Sequence, residues 1–180
     1  AASDVYKRQK GMFENVCLAI KVALDLNIDK KIIQKALPLL SFEGRFQYLN
    51  KGKIKNKLNR NELIMIDGAH ATADAQNLAS YLKKIKVPKY GIWAMTKNKE
   101  PDLFIKELKN VFQKIIAIPI ENENGSESAG KLNRIAVKNK IVSETAYNLK
   151  DALRKISSNE KKLIVAFGSL YAAGSILNKN

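Results

Sequence analysis

The chain holds one histidine, and it closes the run Leu63-Ile64-Met65-Ile66-Asp67-Gly68-Ala69-His70. An apolar segment ending in an acid, a glycine and an imidazole places charged and hydrogen-bonding groups where the backbone turns. Two uses suit Asp67 there. Its carboxylate can cap the helix that the pattern starts near Thr72, where the first N–H groups lack helical partners. Alternatively, it can accept hydrogen bonds from a ligand hydroxyl or ammonium group. His70 serves as a partly buried structural ring or as a group facing a cleft. With no second histidine and no cysteine cluster, the spacing builds no transition-metal site. Arg45, in Glu43-Gly44-Arg45-Phe46, is one of five arginines among 32 basic residues. Its guanidinium can fork onto a carboxylate or a phosphate, which lysine does not imitate; a surface ion pair is its other use. A third stretch, Gly168-Ser169-Leu170-Tyr171-Ala172-Ala173-Gly174, sets glycines at the start of a helix. It matches neither G-x-G-x-x-G nor G-x-x-x-x-G-K-[ST], so this chain supplies no phosphate-cradling loop of its own.

Strands and helices must bring these stretches together. Apolar runs without polar alternation predict strands over 63–67, 90–95, 114–120, 141–143 and 163–167. Helical spacing appears between them, in Ala75/Leu78/Ala79/Leu82, in Ile105/Leu108/Phe112, through 128–137, and in Ala146/Leu149/Leu153/Ile156. Strands apolar on both sides, alternating with amphipathic helices, predict an α/β fold: a Rossmann-like, mostly parallel sheet with helices on both faces. Ligands of such sheets bind beyond the carboxyl ends of the strands. That rule selects three turns: Asp67 to His70, Thr96 to Asn98, and Gly168 to Tyr171. Parallel strands would place all three on one edge.

Upstream, Phe13, Val16, Cys17, Ile20 and Leu24 predict an amphipathic helix ending near Asn27. Asp29 then reads as the N-cap of a second helix burying Ile32, Ile33, Ala36 and Leu37, stopped near Pro38. A hairpin this small cannot bury both apolar faces alone and should pack on protein upstream of residue 1. The segment 41–61 reads as loop, short strand and polar turn. Residues 1–10 fit no element and are expected to be disordered or a coding artefact.

Composition narrows the classes. The chain is 46% hydrophobic over 180 residues, enough for a core, and its single Cys17, read as a core residue, excludes a disulfide framework. No apolar run reaches the roughly 18–20 residues that span a bilayer, and the N-terminus lacks a signal-peptide core, which points to a soluble cytoplasmic protein. The net charge of +15 invites a nucleic-acid partner. The excess is nearly all lysine, rises with asparagine and spreads along the chain, as expected of a solvated surface. Only Lys51 to Arg60 forms a local cluster.

The order Glu14-Asn15-x-x-x-Ala19-Ile20, Glu43-Gly44-Arg45-Phe46, a strand ending Asp67-Gly68-Ala69-His70, and a last strand entering Gly168-Ser169-Leu170-Tyr171 resembles the C-terminal part of folylpolyglutamate synthase/dihydrofolate synthase, a branch of the Mur ligase superfamily. The resemblance runs from about Gly11 to Leu177. It implies a cut-short enzyme: residues 11–47 would be the last helices of a central ATP-binding domain, and 48–180 the C-terminal domain that closes over it. It further implies that Asn15, Arg45 and Asp67 contribute to ATP binding and that His70 and Ser169 face the cleft as catalysis-supporting groups. The P-loop and the Mg2+ ligands would lie in the missing upstream domain, so this chain alone would be inactive. The implied reaction joins L-glutamate to dihydropteroate or folate through an acyl phosphate, in a full-length protein expected to be monomeric and to bind neither nucleic acid nor membrane. This sequence departs from the family pattern at Ala71 and Thr72, where many relatives carry Asn-Pro, and at Phe167, where threonine is common. Other readings are a Mur-type ligase acting on peptidoglycan precursors, or a basic noncatalytic module that binds nucleic acid or a partner.

Overall fold

The computed structural model describes residues 10–180. The expectation for residues 1–10 falls outside the described residues, except that Lys10 opens the first helix. The elements in order are α1 Lys10–Asp25, α2 Lys30–Ala36, β1 Gln47–Tyr48, β2 Glu62–Asp67, α3 Thr72–Lys83, β3 Lys89–Trp93, α4 Pro101–Lys106, β4 Lys114–Ala117, α5 Ala129–Lys138, β5 Ser143–Thr145, α6 Leu149–Ile156, β6 Lys162–Phe167 and α7 Leu170–Lys179. One sheet of six strands runs in the order β1-β2-β6-β3-β4-β5. Strands β2 to β6 are mutually parallel, and only β1, at the edge, is antiparallel to its neighbour.

Successive side chains of a strand point to opposite faces, and here both faces are covered. Met65, Trp93, Leu163, Val165 and Phe167 join Leu78, Phe104, Ile105 and Leu132 in the core beneath α3, α4 and α5. Ile64, Ile66, Ile92, Ile164 and Ala166 join Leu49, Ile54, Ala152 and Ile176 in a second core beneath α6, α7 and the segment after β1. Every residue of β6 is buried, as a strand at the centre of a doubly covered sheet requires. The predicted fold class is therefore the observed one.

At the amino ends of β2 and β6 two opposite charges are buried together, Glu62 at 0% and Lys162 at 1% exposure. Glu62 accepts the backbone N–H groups of Asn59 and Ser158, both at 2.9 Å, and Lys162 Nζ donates to the Ile156 carbonyl at 2.9 Å. Both charges are thus satisfied by the loops they pin, as buried charges must be.

Several sequence expectations are corrected. Cys17 is exposed, not in the core. Met12 and Val16 form the buried side of α1, and the next residue after Val16 lies about 100° further round the helix. The second helix does begin at an Asp29 cap, whose carboxylate accepts Lys31 N at 2.7 Å, but α2 buries no residue, and Ile32 is exposed. The strand predicted over 114–120 stops at Ala117, because Pro119 has no N–H and Ile120 N donates to Ser126 Oγ instead of to a strand. The one predicted over 141–143 begins at Ser143. Ile141 N is used to close α5 on Ala136 O, after Lys140 turns with φ 59°. Among the described residues no helix is long and apolar enough to cross a membrane.

Candidate functional site

The carboxyl ends of β2, β6 and β3 lie side by side, with Asp67 level with Phe167 and Phe167 level with Trp93. The three turns singled out in the sequence therefore share one edge. A fourth segment joins them: the turn Glu43 to Phe46, entering β1.

Asp67 ends β2 fully buried. Oδ2 accepts Phe46 N at 2.9 Å and Oδ1 accepts Ala69 N at 2.8 Å. The carboxylate thus ties two turns together and does not cap α3, which excludes the capping reading of Asp67. Burial pushes its pKa up to about 6, against the lowering pull of the two backbone N–H groups and the Arg45 guanidinium.

Phe46 is held at φ 43° and Gly44 at φ 67°, a tight turn that leaves Arg45 between them on the outside. Gly44 O accepts Gly68 N at 2.6 Å, and Gly44 N donates to Gln47 Oε1 at 2.7 Å. The Phe46 ring stacks on Tyr81 of α3 with centroids 4.4 Å apart, anchoring the turn to the core. Arg45 itself is half-buried, and its ion-pair partner is Asp74, with Nη1 to Oδ2 at 3.9 Å. So loose a pair leaves most of the guanidinium donors open to a further anion.

Asp74 stands in the first turn of α3 and does what the N-cap residue cannot. Ala71, at the cap position, has no side-chain acceptor; Asp74 Oδ2 instead receives His70 N at 3.2 Å and Ala71 N at 3.3 Å. The same oxygen lies 3.8 Å from His70 Nδ1, and that ring nitrogen is 2.8 Å from Gly68 O. The imidazole is thus fixed over its own turn, with Asp74 set between it and Arg45.

Two glycines along this edge are closely approached, and Gly168 is the one where glycine is required. A Cβ on Gly168, at φ 110°, would sit 2.3 Å from the Ala94 carbonyl oxygen, so the β6 turn passes directly over the end of β3. A Cβ on Gly68 would meet the Leu170 side chain at 2.2 Å, which places α7 against the His70 turn. Ser169, 3% exposed, caps α7 by accepting Tyr171 N at 3.1 Å. Its hydroxyl holds the helix start on the same edge as the Asp67 turn.

Arg45, Asp67 and His70 are brought together; Asn15 is not part of their hydrogen-bond network. It is exposed on α1, bordering an apolar groove with Leu18, Val22 and Ile28. Asp74, Phe46 and Tyr81 escaped the sequence reading. The signal for Asp74 was available: an acid in the first turn of a helix whose cap position is alanine. Thr96, after β3, turns inward on Asn98, with Oγ1 to Oδ1 at 2.7 Å.

The implied groups fit this chain unequally. A phosphate-bearing ligand suits the loosely paired Arg45. For a metal ion, the described residues contain no group of three or more His, Cys, Asp or Glu side chains able to hold one, and the Asp67 oxygens are turned to backbone N–H groups.

The fold has solved counterparts. It matches folylpolyglutamate synthase of Mycobacterium tuberculosis, complexed with ADP and AMPPCP, at a TM-score of 0.77 and 19% identity, over 94% of this chain and 40% of that one. It also matches the bifunctional folylpolyglutamate synthase/dihydrofolate synthase of Yersinia pestis, complexed with AMPPNP and Mn ion, at 0.66 and 18%, over 83% and 34%. E. coli FolC, in complex with DHPP and ADP, gives 0.66 and 15%, over 83% and 34%. At these identities the likeness is one of fold, and this chain spans two fifths or less of each relative's length. A search of curated protein sequences finds no significant match. A family model, that of the dihydrofolate synthetase C-terminal domain, matches residues 50–179. Since that match takes in well over half of the sequence, the chain belongs to the dihydrofolate synthetase C-terminal domain family.

Proposed function

We propose that this chain forms one wall of the nucleotide cleft in an ATP-dependent ligase that joins L-glutamate to dihydropteroate or folate. The observation that carries the reading is the meeting of Arg45, Asp67 and His70 at the carboxyl edge of a parallel sheet, with Arg45 held only by a 3.9 Å contact to Asp74. In this reading residues 11–47 belong to the central ATP-binding domain and 48–180 to the C-terminal domain. The P-loop and the Mg2+ ligands come from outside the described residues, and no step here runs through the metal.

In the reaction the acceptor carboxylate attacks the γ-phosphorus of ATP and ADP leaves, giving an acyl phosphate. The glutamate amine then attacks the acyl carbon, phosphate departs, and the amine proton passes to a base. Such chemistry depends on neutralising phosphate charge and on holding two substrates in line. Arg45 supplies a bidentate cation for the first task. Asp67, ionised at pH 7, fixes the Phe46 and Ala69 turns that aim Arg45 and His70, while the Ser169 cap sets α7 against Gly68. Asn15, on α1, would reach the nucleotide from the central-domain side. ATP bound across the two domains would draw the cleft shut.

The test is to express the whole open reading frame that encodes this chain and measure phosphate release with ATP, L-glutamate and either dihydropteroate or folate. Release that requires both glutamate and the pteridine acceptor is expected. A folded product that is silent with both acceptors, or that uses a UDP-linked sugar acid instead, overturns the reading.

A further inference from the structure

The turn Thr96 to Asn98 follows β3 on the same carboxyl edge, and the loop between β4 and α5 holds it in place. Lys97 N donates to Gly125 O and Glu127 N to Met95 O, both at 2.8 Å, while Thr96 forms an antiparallel bridge with Ser126. The backbone of residues 125–127 thus sets where the chain leaves β3.

That loop contains Asn124-Gly125, and no other asparagine of this chain precedes a glycine. Asn124 and Gly125 are the central residues of a tight turn closed by Ser126 N on Glu123 O at 3.0 Å, and Asn124 is exposed. A glycine leaves its own nitrogen open to the side chain before it, because it carries no Cβ to shield the approach. The hydrogen on that nitrogen already has a receiver. Glu123 Oε1 accepts Gly125 N at 2.8 Å, within the reach at which a carboxylate acts as a general base. A base, a carboxamide and a backbone nucleophile therefore stand on consecutive residues, Glu123, Asn124 and Gly125.

We propose that Asn124-Gly125 is a self-modifying hinge of the β3 turn, at which Asn124 loses its amide as ammonia and becomes aspartate or isoaspartate, with Glu123 as the base. Gly125 N attacks Asn124 Cγ while its proton passes to the Glu123 carboxylate. The N–Cγ bond forms, the Cγ–Nδ2 bond breaks, and ammonia leaves with the proton that Glu123 returns. Water then opens the five-membered imide at either carbonyl. Opening at the side-chain carbonyl gives aspartate; opening at the other routes the main chain through Cβ and Cγ and gives isoaspartate.

The isoaspartyl chain is longer by a methylene directly before Gly125, which draws the Gly125 carbonyl off Lys97 N and frees the β3 turn. Either product also adds a carboxylate near Lys97, whose Nζ lies 3.5 Å from Asn124 O. The reaction consumes only water, so the proposal stands apart from the ligase reading.

The test ages the full chain in mildly alkaline buffer and follows every asparagine by peptide mass spectrometry, with hydrogen exchange read at the Lys97 amide. Asn124 should convert ahead of every other asparagine. In the isoaspartyl fraction the Lys97 amide should exchange about tenfold faster, as the loss of one hydrogen bond implies. Glu123→Gln should slow the conversion at least tenfold. Asn124→Gln lengthens the side chain and so disfavours ring closure; its Lys97 amide should not change on ageing. Both substitutions keep a polar side chain in a surface turn, so the variants should melt with the parent, as circular dichroism will check. Another asparagine converting first, a Glu123→Gln chain converting as fast as the parent, or an isoaspartyl chain whose Lys97 amide exchanges at the parent rate overturns the proposal.

Discussion

Asp67 Oδ2 accepts the backbone N–H of Phe46 at 2.9 Å, so the end of β2 is bound to a turn 21 residues earlier in the chain. The bond joins two stretches that look unrelated in sequence. It makes the geometry of Arg45 depend on the ionisation of a buried acid.

That dependence has a pH signature. Burial raises the Asp67 pKa from 3.8 to about 6, so between those values the folded chain holds a proton that the unfolded chain has lost. The protonated carboxyl therefore adds stability that is fully present below pH 3.8 and is lost as pH rises through about 6. At about 1.4 kcal/mol per pH unit, the loss is on the order of 3 kcal/mol. Asp102, Glu127 and Asp151 shift the other way, below 3.8, 4.5 and 3.8, and their stabilisation is lost only in more acidic solution. Urea unfolding from pH 4.5 to 7 should show a falling stability that Asp67→Asn flattens. An equal slope in the variant would assign the effect elsewhere.

Asp74 is expected to hold α3 and the site by separable means. Asp74→Ala leaves His70 N and Ala71 N without their acceptor, costing about 1 kcal/mol, or roughly 2–4 °C in Tm. Adding Ala71→Asn should return the melting temperature by restoring a cap. It should not return the KM for ATP, because no carboxylate would then stand between Arg45 and His70. Joint recovery of both quantities would show that Asp74 acts on the helix alone.

Arg45→Lys keeps the charge and removes the fork. If Arg45 holds phosphate, the KM for ATP should rise about tenfold, while Tm stays within about 1 °C, since the 3.9 Å pair with Asp74 contributes little. Steady-state kinetics at varied ATP settle the point, and an unchanged KM would return Arg45 to an ordinary surface pair.

Two glycines at one edge should respond unequally to alanine. Gly168→Ala forces a Cβ to 2.3 Å from a backbone carbonyl at φ 110° and should cost more than about 3 kcal/mol. Gly68→Ala meets the movable end of the half-exposed Leu170 and should cost less than about 1 kcal/mol. Thermal melts of the pair compare the two directly.

Much of this architecture could be read in the residues. The β2, β3 and β6 runs were legible because strands buried on both faces carry no polar alternation, and Asp29 announces its helix by capping chemistry. The errors have local causes. Cys17 was assigned to the core by its helical spacing with Phe13, Ile20 and Leu24, yet one step along the helix from Val16 turns it to solvent. Asp67 looked equally suited to cap α3, and only the fold brings Phe46 N within its reach. Likewise, nothing in the spacing of Arg45 and Asp74 foretells their meeting, because it depends on β1 pairing antiparallel with β2.

The position of β6 carries one more consequence. It is the last of the described strands of this sheet, yet it sits between β2 and β3, which have no ladder with each other. Until Lys162–Phe167 leaves the ribosome, two apolar strands wait with facing edges unpaired, the condition that favours aggregation and chaperone capture. The sheet can close only by late insertion of a central strand between partners about 70 and 100 residues upstream, a long-range step that makes folding slow.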